Sequence, residues 1–126
     1  MKPIATMGFL AIAAAATTTV LFVVAMKPTS AAALSVFCAW LISPHVAMAA
    51  ALAFLERKSA APAHWYVVAI IVSAGGALFL ADLIFWHTDA QGALAVLMAP
   101  LFQGIALAAL LPLSWLAFRP AKNGEP

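Results

Sequence analysis

Residues 80–104 read LADLIFWHTDAQGALAVLMAPLFQG, and the alternation of apolar and polar segments in this stretch indicates the architecture of the whole chain. It passes from an apolar run into a short polar segment at residues 87–91 and then back into an apolar run. The pattern predicts the end of one transmembrane helix, a tight turn and the first half of the next helix. The stretch also holds two of the four acidic residues of the chain and both of its glutamines, so polar chemistry inside the membrane is expected mainly here.

The composition of the whole chain points to lipid as the main solvent. Of 126 residues, 67% are hydrophobic and only 8% are charged, whereas a soluble domain carries about 25% charged residues. A transmembrane helix needs about 20 apolar residues, so the length accommodates four spans. Helices satisfy every backbone polar group within one segment, as hydrocarbon requires. The sequence therefore predicts an all-α, integral membrane four-helix bundle.

The predicted spans follow one another with short links. The spans are residues 4–26, 31–55, 63–87 and 90–118, and a polar tail follows at residues 119–126. Together they are expected to form a single transmembrane domain over residues 1–126. Because short links make successive helices antiparallel neighbours, an up-down-up-down bundle is expected.

The first span has a rival interpretation as a signal peptide. A basic start, an apolar run and small residues after it fit both interpretations. The apolar run of residues 4–26 is longer than the 7–15 residues typical of a signal peptide, which favours a membrane span.

Basic residues are distributed unevenly between the links. Lys27 lies at the opposite side of the predicted bundle from the other basic residues, which are Lys2, Arg57, Lys58, Arg119 and Lys122. Positively charged links stay on the cytoplasmic side. We therefore expect both termini to be cytoplasmic in a multi-pass protein of the bacterial inner membrane. Basic residues placed singly or in one pair at helix ends are typical of membrane anchoring, and no nucleic-acid partner is expected.

The turn before the fourth helix carries a capping pattern. Thr88 is predicted as the N-cap and Gln91 as the N3 residue of a capping box. Asp89 then lies in the first helical turn, where the helix dipole favours a negative charge. These residues therefore have a structural explanation.

Three polar residues are predicted to lie at one level near the middle of the membrane. His45, Ser73 and Gln103 each fall ~20 Å below the outer boundary at the helical rise per residue. Polar side chains in hydrocarbon require partners, so His45 and Gln103 are expected to lie close together on facing helices. Hydrogen bonding between helices is the favoured interpretation.

Asp82 is the acidic residue inside a predicted span, about 8 Å from the outer boundary. A charge at such a position is costly unless it is paired or faces water, which makes Asp82 a functional candidate. A structural pair with Lys27 is the favoured interpretation. The alternatives are a relay for protons or cations at the outer mouth and a contact with another subunit.

Two further interpretations concern ligand binding by His45. Haem or pigment ligation is weakened because His64 and His87 are predicted at opposite faces of the membrane. A soft-metal site shared with Met48 is the least favoured, because methionine also simply fills apolar packing. No cofactor and no metal are therefore expected.

The sequence contains no glycine-rich phosphate loop, no CxxC and no HExxH, so an enzyme is not predicted. We expect a small non-enzymatic subunit that packs in the bilayer with other membrane subunits or with copies of itself. The first alternative is a small ion- or proton-coupled transporter or channel that uses Asp82 and a cluster of His45 and Gln103. The second is a subunit that holds haem or a pigment through His45.

Overall fold

A computed structural model describes residues 2–58 and 61–118. It contains four α-helices, which are α1 (Pro3–Ala25), α2 (Ala31–Lys58), α3 (Ala63–Phe85) and α4 (Ala90–Ala117). Each of the four is long and apolar enough to cross a membrane. The prediction of an all-helical protein with four candidate spans is confirmed, although α2 continues to Lys58 instead of ending at residue 55. The predicted polar tail at residues 119–126 lies outside the described residues.

The helices do not pack in the order of the chain. Within the described residues, α1 and α4 each pack against both α2 and α3, whereas α2 and α3 barely touch and α1 does not contact α4. The order around the bundle is therefore α1, α2, α4, α3. The expectation that all successive helices are neighbours is wrong for α2 and α3.

Glycines explain which helices approach closely. A Cβ atom on Gly8 of α1 would lie 2.6 Å from Cδ1 of Tyr66 in α3, so this interface depends on the missing side chain. A Cβ atom on Gly76 of α3 would likewise overlap the side chain of Gln103 in α4. Because small residues allow close packing in membranes, these two contacts favour the α1–α3 and α3–α4 pairs over the α2–α3 pair.

Side-chain hydroxyl groups satisfy several backbone groups. Ser30 caps α2 by accepting a hydrogen bond from the backbone N–H of Ala33 at 3.1 Å. Thr19 is buried and donates to the carbonyl of Ala15 at 2.8 Å. The hydroxyl group of a threonine that donates to the carbonyl one turn back is satisfied within its own helix.

Two side-chain hydrogen bonds to backbone carbonyls lie close to the prolines Pro44 and Pro100. Pro44 lacks the N–H that would pair with the carbonyl of Trp40, and the hydroxyl of Ser43 donates to that carbonyl at 2.7 Å. The indole N–H of Trp40 donates across the bundle to the carbonyl of Leu97 at 2.7 Å. Leu97 lies within the helical turn that precedes Pro100, where α4 is weakened, so the indole ties α2 to α4 at that point.

Two apolar clusters form the core. The first contains Ala5, Ile12, Met48, Leu52, Ala61, Tyr66, Val68 and Ala69. The second contains Val23, Leu41, Leu80, Val96 and Ala99. Along α2, residue His45 lies between Leu41 of the second cluster and Met48 of the first. His45 therefore lies on α2 at the boundary between the two clusters.

Candidate functional site

The structure brings together the three polar residues that the sequence predicts at one level. His45, Ser73 and Gln103 line a cavity of about 10 Å³. Their exposed fractions are only 3%, 4% and 7%. The remaining lining residues are Pro44, Met48, Val72 and Leu107. Because each of the three polar residues comes from a different helix, the cavity lies where α2, α3 and α4 meet.

The polar atoms around this cavity are not paired with one another. Among the described residues, the two ring nitrogens of His45 have no hydrogen-bond partner. The side-chain amide nitrogen of Gln103 has none either. The His45 ring lies near the carbonyl of Leu41, one turn back, but outside normal hydrogen-bond geometry. The expected closeness of His45 and Gln103 is therefore found without a direct hydrogen bond between them. Unpaired polar groups are costly in hydrocarbon.

The position of Gln103 depends on a glycine of the facing helix. The side-chain amide nitrogen of Gln103 lies against Gly76, inside the space that a Cβ atom on residue 76 would fill. Gly76 is buried, and it follows Ser73 by three residues on the same face of α3. The glycine thus admits the long Gln103 side chain to the cavity.

Asp82 lies in the exposed last turn of α3 and does not line the buried cavity. Its carboxylate is 3.1 Å from Nδ1 of His87, and the two side chains are 54% and 59% exposed. The predicted pair with Lys27 is wrong. His87 follows the end of α3, and its backbone N–H also donates to the carbonyl of Asp82 at 3.2 Å. This turn of the backbone holds the His87 imidazole close to the Asp82 carboxylate.

The cap of α4 is shifted by one residue from its predicted position. Asp89 is the N-cap, and its carboxylate accepts a hydrogen bond from the backbone N–H of Gly92 at 2.7 Å. The predicted capping box of Thr88 and Gln91 is therefore wrong, because the helix begins at Ala90 and both side chains are exposed. A Cβ atom on Gly92 would overlap the carbonyl of His87, so the glycine is required for this tight turn.

One polar contact was not predicted from the sequence. The fully buried Tyr66 donates its hydroxyl hydrogen to the carboxylate of Glu56 at 2.5 Å. The same carboxylate oxygen accepts a hydrogen bond from the backbone N–H of Ala61 at 3.2 Å. Glu56 thereby joins the end of α2 to the start of α3. No local motif connects the two residues, since Tyr66 is turned inward by its packing against Gly8.

The other candidate ligand residues lie apart from the cavity. His64 stacks on Phe118 with ring centres 5.3 Å apart, and His87 pairs with Asp82. Cys38 packs at the edge of the second apolar cluster. No group of three histidine, cysteine or acidic side chains that could hold a metal ion occurs within residues 2–58 and 61–118. Met48, whose thioether sulfur is also a possible metal ligand, lines the cavity wall beside His45.

The geometry defines a multi-pass helical membrane protein in which His45, Ser73 and Gln103 form a buried polar cluster. No protein-family model, no curated protein and no solved structure matches this chain. The argument about function therefore rests on the fold and on the chemistry of its side chains.

Proposed function

We propose that the protein is a non-enzymatic accessory subunit that packs against other helices in the bacterial inner membrane. The partner is either another membrane protein or a second copy of the chain. The observation that carries the proposal is a groove of about 280 Å³ between α3 and α4. Its lining residues are Ile71, Val72, Gly75, Gly76, Phe79, Ala99, Phe102, Gln103, Ala106 and Leu110.

The groove has the surface chemistry of a helix-docking site. Gly75 is exposed, and a Cβ atom built on it would meet no atom within 4 Å. Membrane helices associate through close packing at small residues, since lipid chains are as apolar as the helices themselves. A helix that entered the groove would gain dispersion contacts along both of its walls.

The interior of the bundle supports a subunit better than a transporter. The buried polar cavity measures about 10 Å³, and no ionisable acid lines it. Asp82, the acid that a relay would use, is exposed beside His87 and does not line the cavity. A conducting path requires successive ionisable groups or a column of water.

Proton-coupled transport is the second candidate function, and His45 is the observation that favours it. An ionisable side chain buried in the middle of a membrane helix is often functional. A relay through His45 requires Asp82 or bulk water to deliver a proton to it. Flux in vesicles that is lost on Asp82→Asn substitution would favour this candidate over the subunit.

The proposed orientation is up-down-up-down with both termini in the cytoplasm. It is supported by Lys2 before α1 and by Arg57 and Lys58 at the end of α2, against Lys27 alone after α1. The positive-inside rule places the more basic links in the cytoplasm. A C-terminal alkaline phosphatase fusion should be inactive in cells, and an active fusion would contradict the orientation.

The docking surface can be tested by two matched substitutions. Gly75→Leu adds a side chain to the groove, and its Cβ atom would meet no atom of a neighbouring element within 4 Å. Gly104→Leu is its control, since Gly104 is also exposed on an open surface but does not line the groove. After purification in a mild detergent, the wild-type protein and Gly104→Leu should retain a bound subunit or an oligomeric state that Gly75→Leu loses. A folded Gly75→Leu protein that keeps the same associations would overturn the proposed docking surface.

A further inference from the structure

We propose that the cavity between His45, Ser73 and Gln103 binds a single water molecule in the core of the membrane. The site goes beyond the proposed function, because it does not depend on any partner of the protein. The bound water joins α2, α3 and α4 at one level through side chains that do not bond one another directly.

The size of the cavity selects a very small ligand. Its volume is about 10 Å³, and a cavity needs roughly 10–15 Å³ on this measure to hold one water molecule. A lipid chain, a haem group or an organic substrate is far larger. Pro44 also lines the cavity, next to His45 on α2.

The polar atoms around the cavity match the bonding capacity of water. A buried water molecule typically makes about three hydrogen bonds to groups that otherwise lack partners. The ring of His45 supplies one N–H donor and one acceptor nitrogen when it is neutral, and neither nitrogen has a partner within residues 2–58 and 61–118. The amide nitrogen of Gln103 is a second unpartnered donor. The Ser73 oxygen, on the third helix, is a further acceptor at the same wall.

A metal ion is the competing small ligand, because Met48 lines the same cavity. An imidazole nitrogen and a thioether sulfur are suitable ligands for copper(I). A copper(I) ion would bring a positive charge, however, and no acidic side chain lines the cavity to neutralise it. An unpaired charge at the centre of a bilayer is costly, whereas a neutral water molecule carries no such cost.

The experiment measures magnetisation transfer from water protons in solid-state NMR of the protein in lipid bilayers. The Gln103 side-chain amide should receive magnetisation from water at short mixing times, although it is buried. The exposed Gln91 amide is the positive control, and the methyl groups of the fully buried Leu52 are the dry control. A folded protein in which Gln91 shows transfer and Gln103 shows none would overturn the proposal.

Two substitutions fill the cavity from different helices. Ser73→Val replaces the hydroxyl group by a methyl group and adds a second methyl. Leu107→Phe adds apolar volume from α4 and leaves every polar group in place. Either folded variant should lose the transfer from water to Gln103 and keep the transfer to Gln91. Unchanged transfer in both variants would contradict the site, as would stoichiometric copper(I) binding that shifts the His45 ring signals and is lost in His45→Phe.

Discussion

The side-chain amide of Gln103 lies against Gly76, in the space that a methyl group on residue 76 would occupy. The contact joins α3 to α4 where Gln103 reaches the buried cavity. The position of the Gln103 side chain thus depends on the absence of a side chain at Gly76.

Gly76→Ala should lower the free energy of unfolding by about 1–3 kcal/mol, because the new methyl group overlaps the Gln103 amide in a packed interior. The measurement is unfolding by sodium dodecyl sulfate in mixed micelles, followed by circular dichroism. Gly75→Ala is the matched control, because its Cβ meets open space and alanine favours the helix by about 0.5–1 kcal/mol over glycine.

The Gly76→Ala effect should also depend on Gln103. In a Gln103→Ala background the amide is gone, so adding the methyl group at residue 76 should cost much less. An equal cost in both backgrounds would show that the loss arises elsewhere than in this contact.

Asp89→Ala should destabilise the protein by about 0.5–2 kcal/mol, because it removes the side chain that accepts the Gly92 N–H at the start of α4. Asp89→Asn keeps an N-cap oxygen and should lose much less. Thr88→Ala should stay within about 0.5 kcal/mol of the wild type, since Thr88 is an exposed residue outside the cap. The three variants can be compared in the same unfolding assay. A larger loss of unfolding free energy for Thr88→Ala than for Asp89→Ala would favour Thr88 as the N-cap.

Trp40→Phe should remove the hydrogen bond that ties α2 to the Leu97 carbonyl of α4. Hydrogen bonds between membrane helices contribute about 0.6–2 kcal/mol, so a loss of this size is expected. Trp86→Phe makes the same chemical change at an exposed position and should have a smaller effect. Equal losses for the two variants would show that the indole N–H of Trp40 contributes nothing specific.

Tyr66→Phe should destabilise the protein by about 1.5–3 kcal/mol, the range for a hydrogen bond to a charged group. The change removes the hydroxyl group that donates to Glu56 and leaves the ring packed against Gly8. A double-mutant cycle with Glu56→Ala, which removes the acceptor oxygen that glutamine would keep, should show coupling between the two residues. Additive effects of the two substitutions would contradict the hydrogen bond.

Asp82→Asn should change the free energy of unfolding by less than about 1 kcal/mol, because its pair with His87 is more than half exposed and exposed pairs contribute little. Proton or cation flux through reconstituted vesicles should not exceed that of protein-free vesicles for either the wild type or the variant. Wild-type flux that disappears in a stably folded Asp82→Asn protein would favour the transporter over the accessory subunit.

The four helices and the common level of His45, Ser73 and Gln103 follow from the sequence alone. Apolar runs of sufficient length can only form helices in hydrocarbon, and the constant helical rise places His45, Ser73 and Gln103 at one level. Their meeting at one cavity follows from the cost of leaving polar groups among lipid chains.

Which helices are neighbours and which polar groups are partners depends on three-dimensional packing that the sequence does not reveal. Packing order depends on close approaches such as Gly8 to Tyr66 and Gly76 to Gln103, which join residues distant in the chain. Hydrophobic periodicity does not encode such pairs, because in a membrane both the lipid-facing and the buried surfaces are apolar. The partner of Asp82 could not be predicted from its position along the helix alone. His87 bonds it because the chain turns back at the end of α3, while Lys27 remains exposed.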